Sequence, residues 1–135
     1  MLFDPEQKKC LERLCRSYDI AALILFGSQA RSLTHKKSDV DFGFFSRSRN
    51  PQLMEIARME FDFAQKLAIS HLELVNLRRT SASFRHQVAK DAQILYEDTP
   101  DAYANFVVSA FKQYGEEKKL RELQRASLKK FSHGI

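Results

Sequence analysis

The chain has 135 residues, 44% of them hydrophobic, and 22 basic against 17 acidic side chains, for a formal net charge of +5. That is one domain, large enough to build a core without staples. No run approaches the ~20 apolar residues of a membrane span, and with no Trp and only four Tyr the basic segments lack a stacking platform for single-stranded nucleic acid.

The opening MLFDPEQKK has no signal-peptide layout, so a cytoplasmic protein with neither a membrane nor a specific nucleic-acid partner is expected. Residues 5–18 read as a helix, with Asp4 as its cap and Pro5 in the first turn. Leu11, Leu14 and Cys15 form its inward stripe. Cys10 and Cys15 lack metal-ligand spacing and read as free thiols. Ile20 to Phe26 is a buried strand that Gly27 ends. A short helix over 30–33, opening at Ser28, and a polar loop over 35–38 follow. Val40 to Phe45 is a second strand.

Asn50-Pro51 marks a break. From Gln52 to Ala68 the residues Leu53, Ile56, Phe63, Ala64 and Leu67 follow helical spacing. HLELVNL, residues 71–77, is a third strand with Leu72 and Leu74 on one face and Glu73 and Val75 on the other. Ser81 to Ala92 is a helix with Phe84 and Val88 inward. Residues 93–97 are extended. Thr99 caps a long helix that runs to about Lys130 with an interruption near Gly115. Phe42, Phe44, Phe61 and Phe63 are expected in the core. The order is an α/β (α+β) domain, a small mixed sheet flanked by helices. Residues 1–100 form the main domain and 101–135 a C-terminal helical extension packed on it.

Chemistry concentrates in GSQARSLTHKKSDVDFGFF, residues 27–45. Residues i and i+2 of a strand share a face, ~7 Å apart, so Asp39 and Asp41 present two carboxylates side by side. Without a cation they repel; oxygen ligands with room for water and phosphate suit Mg²⁺. Gly27 permits a sharp turn with close backbone approach, a helix opening after it makes an anion site, and Ser28 adds a hydroxyl. Together these describe a nucleoside triphosphate site.

Gly-Ser, ten residues, then Asp-x-Asp resembles the signature of the DNA polymerase β-type nucleotidyltransferase superfamily. The fuller string, and the later LELVNLRR and SFRHQVAKDAQILYED, are similar to the minimal nucleotidyltransferase (MNT) proteins over about residues 5–100. The resemblance implies a nucleotidyltransferase fold in which Gly27 and Ser28 hold the triphosphate of ATP. It implies that Asp39 and Asp41 ligate Mg²⁺, two ions in all, with Glu73 as the third acid that helps activate the acceptor hydroxyl. Ser32 stands where the family often has Gly. The third acid is commonly Asp, one methylene shorter than Glu73.

Other readings stand beside these. Arg31 is either a nucleotide contact or a plain surface arginine. Glu73 is either the third acid or a solvent-facing partner of Arg78 or Arg79. His35 and Lys36 read as solvated loop, and His71 as the start of a strand with no metal role. Free-standing MNT proteins resemble the antitoxin half of HEPN–MNT toxin–antitoxin pairs. The implied function is adenylylation of a tyrosine on a HEPN ribonuclease toxin, within a hetero-oligomer. The alternative is a catalytically weak or inactive MNT-fold protein that neutralises its partner by binding alone.

Overall fold

The structure is a computed structural model that describes the backbone of residues 3–27 and 39–133 and the side chains through residue 126. The helix expected over 30–33 and the loop over 35–38 lie outside the described residues. Helix α1 spans Pro5–Ser17. Its start is closed reciprocally: the Asp4 carboxylate accepts from the Gln7 amide at 2.8 Å, and the Gln7 side chain accepts from the Asp4 N–H at 3.1 Å. Such a box satisfies two N–H groups that have no partner within the helix. The chain then turns at Asp19, whose φ of 58° is left-handed. The Asp19 carboxylate accepts from the Ser48 N–H and hydroxyl at 3.0 and 2.6 Å, and those hydrogen bonds hold it below the usual carboxylate range.

Strands β1 (Ile20–Phe26), β2 (Val40–Ser46), β3 (Leu72–Asn76) and β4 (Gln93–Glu97) form one sheet in the order β3-β2-β1-β4. β2 runs parallel to β3 and antiparallel to β1, and β1 runs antiparallel to β4. The parallel step requires a long crossover, supplied by α2 (Leu53–Lys66). Helices α3 (Ala82–Asp91) and α4 (Ala102–His133) complete the fold. One sheet face buries Leu23, Leu25, Phe42, Phe44 and Leu74 against α1 and α2. The other packs Ala22, Ile24, Phe45 and Val75 with Leu77, Val88 and Tyr103 from the α3 and α4 side. The mixed sheet flanked by helices is the expected fold. Among the described residues no helix is long and apolar enough to cross a membrane, and both cysteines are free thiols.

Four local expectations are corrected. Phe61 is 65% exposed: the buried side of α2 is set by Met59 and Phe63, and Phe61, two residues from each, points ~200° away. Leu53 is also exposed, at the first turn of the helix. The third strand ends at Asn76, and Leu77–Arg79 form a 3₁₀ turn. The Asn76 side chain accepts from the Arg78 N–H at 3.2 Å and donates to Asn50 at 2.8 Å and the Pro51 carbonyl at 3.1 Å. That exchange caps the turn and draws the chain out of the sheet. Finally, α4 continues through Gly115. No neighbour crowds that position, and the Glu, Lys and Leu residues after it are strong helix formers.

Burial ranks the packing. Phe63 is fully buried, with its ring centroid 6.4 Å from Phe42 and 6.2 Å from Tyr18. Truncating a buried Phe typically costs ~3–5 kcal/mol. Phe63→Ala is expected to lose that much in urea unfolding, and Phe61→Ala less than about 0.5 kcal/mol. The reverse order would mean that the inward face of α2 is misassigned.

Candidate active site

Sheet register builds the site. Phe26 of β1 pairs with Asp41 of β2, and Asp41 pairs with Glu73 of β3. Directly opposed residues project to the same face, so Phe26, Asp41 and Glu73 form a row across three strands. Phe26 packs with the α3/α4 cluster, which places the row on that side of the sheet. Asp39 stands just ahead of β2, exposed to solvent. The Val40 N–H donates to the His71 carbonyl at 2.9 Å, so the two segments that carry the acids enter the sheet together. Asp39, His71, Leu72 and Glu73 line an open cleft of about 220 Å³.

The electrostatics mark Asp41. It is half-buried, while Asp39 and Glu73 are exposed. Burial, then the charge of Glu73, then that of Asp39, raise its carboxyl above the usual range. Each of these disfavours the ionised form. Gly27 closes on the same group. Its φ is +80°, and a Cβ there would sit 2.6 Å from the Asp41 Oδ2. A turn at the end of β1 thus lies directly against the carboxylate, which only glycine permits. Below the row, Gly43 gives room to Leu77, since a Cβ at Gly43 would meet its side chain at 3.1 Å. The 3₁₀ turn can therefore settle on the same face.

Of the residues singled out in the sequence, the structure brings Gly27, Asp39, Asp41 and Glu73 to one end of the sheet. Ser28 and Arg31 lie outside the described residues. Among the described residues, no three His, Cys, Asp or Glu side chains already converge on a point that a metal ion could occupy. Asp39, Asp41 and Glu73 share a neighbourhood rather than a closed shell. Sequence reasoning missed two features: His71, which lines the cleft, and Phe84, expected inward but 37% exposed and in edge contact with Phe26 at 5.8 Å.

The model of the family described as polymerase beta, nucleotidyltransferase, matches residues 8–101. The chain belongs to the polymerase beta nucleotidyltransferase family. The signature Gly27-Ser28 through Asp39-Val40-Asp41 falls inside the matched region, as does Glu73. Among solved structures, the chain is similar in fold to one in a toxin–antitoxin complex with AMP-PNP. That match has 22% identity and a TM-score of 0.72, over 93% of this chain and 98% of that one. A second is from the complex of the tri-AMPylated Shewanella oneidensis HEPN toxin with MNT antitoxin, at 19% identity and 0.70, over 95% and 98%. A third is from the MntA-HepT toxin–antitoxin, at 19% and 0.67, over 93% and 98%. A comparison with the curated proteins found no significant match.

The raised Asp41 carboxyl has a measurable consequence. The folded chain holds a proton there that the unfolded chain releases more readily, so stability falls as pH rises from the ordinary Asp range through the raised value. Asp41→Asn removes that loss. In metal-free buffer at neutral pH the variant is expected to melt above wild type, with the gap closing toward acid pH. A gap that is absent or inverted would contradict the raised carboxyl of Asp41.

Proposed function

We propose that the protein is an antitoxin-type, Mg²⁺-dependent adenylyltransferase. It transfers AMP from ATP to a hydroxyl, a tyrosine side chain, of a HEPN ribonuclease toxin encoded beside it in the cytoplasm. The observation that carries the reading is the in-register pair Asp41–Glu73, with Asp39 at its end and Gly27 against it, inside a nucleotidyltransferase fold. Two complexes of similar fold support the substrate and the partner: one was solved with AMP-PNP, and one contains a tri-AMPylated HEPN toxin.

The donor set suits the metal. Asp39, Asp41 and Glu73 would hold divalent cation, all through carboxylate oxygens, the hard ligands Mg²⁺ prefers. The raised Asp41 carboxyl is where positive charge is most needed. When bound, the metal supplies charge neutralisation for the triphosphate and the departing pyrophosphate. The rest falls to the chain. Gly27 and Ser28 receive the triphosphate, and Arg31 contacts it. Glu73, exposed at the edge strand, accepts the proton of the incoming hydroxyl. The hydroxyl oxygen bonds to the α-phosphorus as the bond to pyrophosphate breaks, so the products are the adenylylated tyrosine, pyrophosphate and a proton.

A second reading rests on one residue. Glu73 is a methylene longer than the Asp common at this place in the family, and small displacements of a catalytic group weaken catalysis strongly. The protein would then silence its partner by binding alone.

Label transfer separates the two. Protein, Mg²⁺ and α-labelled ATP are incubated with the HEPN protein of the adjacent gene, beside the Asp39→Ala/Asp41→Ala variant. Label on the partner with wild type, falling to background with the variant, is the expected outcome. A tight complex with both proteins and label with neither would favour the binding reading.

A further inference from the structure

Phe84 is a large apolar side chain of α3 that the core does not fully absorb. Its ring meets Phe26 edge-on, with centroids 5.8 Å apart, and it keeps 37% of its surface exposed. Phe26 is the cross-strand partner of Asp41. Phe84 therefore meets the row at its Phe26 end, on the side of Asp41 away from Glu73.

Its mount is rigid. The Phe84 N–H donates to the Ser81 hydroxyl at 3.1 Å, which caps α3. The next residue, Arg85, donates to the Leu77 and Thr80 carbonyls at 3.2 and 2.9 Å and to the Gln113 side chain at 2.6 Å. Those bonds tie the first turn of α3 to the 3₁₀ turn and to α4. A partly exposed aromatic on this hydrogen-bonded turn, packed against the cross-strand partner of Asp41, offers an apolar surface next to the row.

Resting on the nucleotidyltransferase reading of the acids, we propose that Phe84, backed by Phe26, is the platform on which the nucleobase of the nucleoside triphosphate stacks. A nucleotide places its base one sugar away from its phosphates, which matches a ring set beside the row rather than within it. Phe84 has no polar atom, so it adds affinity for any base and favours the larger purine ring system over a pyrimidine. It is a positioning residue: it orients the sugar and the α-phosphate through the base and touches no reacting atom.

The test compares a ligand with a base to one without. Calorimetric Kd values are measured for Mg²⁺-ATP and Mg²⁺-tripolyphosphate with wild type, Phe84→Ala and Phe84→Tyr. Base–aromatic stacking corresponds to a factor of about ten or more in affinity. Wild type and Phe84→Tyr are expected to prefer ATP by that factor. Phe84→Ala is expected to lose the preference with its tripolyphosphate affinity unchanged. The proposal is overturned if Phe84→Ala keeps the preference, or if it weakens both ligands alike, as a structural role would. It is also overturned if ATP affinity holds while only transfer to the acceptor falls, which would assign the ring to the acceptor. Wild type binding tripolyphosphate and ATP equally well would sink the Phe84 platform alone. Wild type binding neither would remove the nucleotide site itself.

Discussion

The side-by-side carboxylates of Asp41 and Glu73 are the constraint around which the rest is arranged. Two like charges directly opposed across a strand pair are destabilising; burial first, and then the Glu73 and Asp39 charges, raise the Asp41 carboxyl. The sheet tolerates it because β2 is a central strand, paired on both sides, with Phe42 and Phe44 fully buried beneath it. A slip of one residue between β2 and β3 would send Glu73 to the opposite face, so register and site are one property. The outer edge of β3 is managed as well: the Glu60 carboxylate of α2 accepts the Leu74 N–H at 2.9 Å. The helix that makes the parallel crossover thereby also occupies an edge bond that another strand could otherwise use.

Much of this was legible in the sequence because the signals are local. Asp4-Pro5 announces α1, the run Ile20–Phe26 announces a buried strand, and the spacing of Leu11, Leu14 and Cys15 announces a helix face. The candidate site was legible for another reason. An acid inside an otherwise apolar strand, Asp41, with Asp39 just ahead of it and a Gly-Ser pair upstream in the sequence, breaks the pattern that burial alone would impose. Gly27 was read as a turn residue from its type. That a side chain there would strike Asp41 is a fact of three dimensions.

What stayed hidden is tertiary. Phe61 and Phe63 are both large and apolar on one helix, and only the position of the sheet decides which turns inward. The 3₁₀ turn at Leu77 depends on Asn76 reaching Asn50 and Pro51, about 25 residues away. Gly115 looks like a helix breaker in the sequence, yet no packing forces its backbone aside. Phe84 reads as core by hydrophobicity, but in the fold it stays 37% exposed, in edge contact with Phe26. His71 reads as a strand start, and its place in the cleft appears only when β3 lies beside β2.

The central claim is that the acids are crowded in order to hold a divalent cation. The direct measurement is the melting temperature at neutral pH as Mg²⁺ is titrated, for wild type and Asp41→Asn. A ligand that binds only the folded state raises the melting temperature with its concentration. The account expects a saturating rise for wild type and a flat response for the variant. A flat wild-type response, or an equal rise in both, would contradict it.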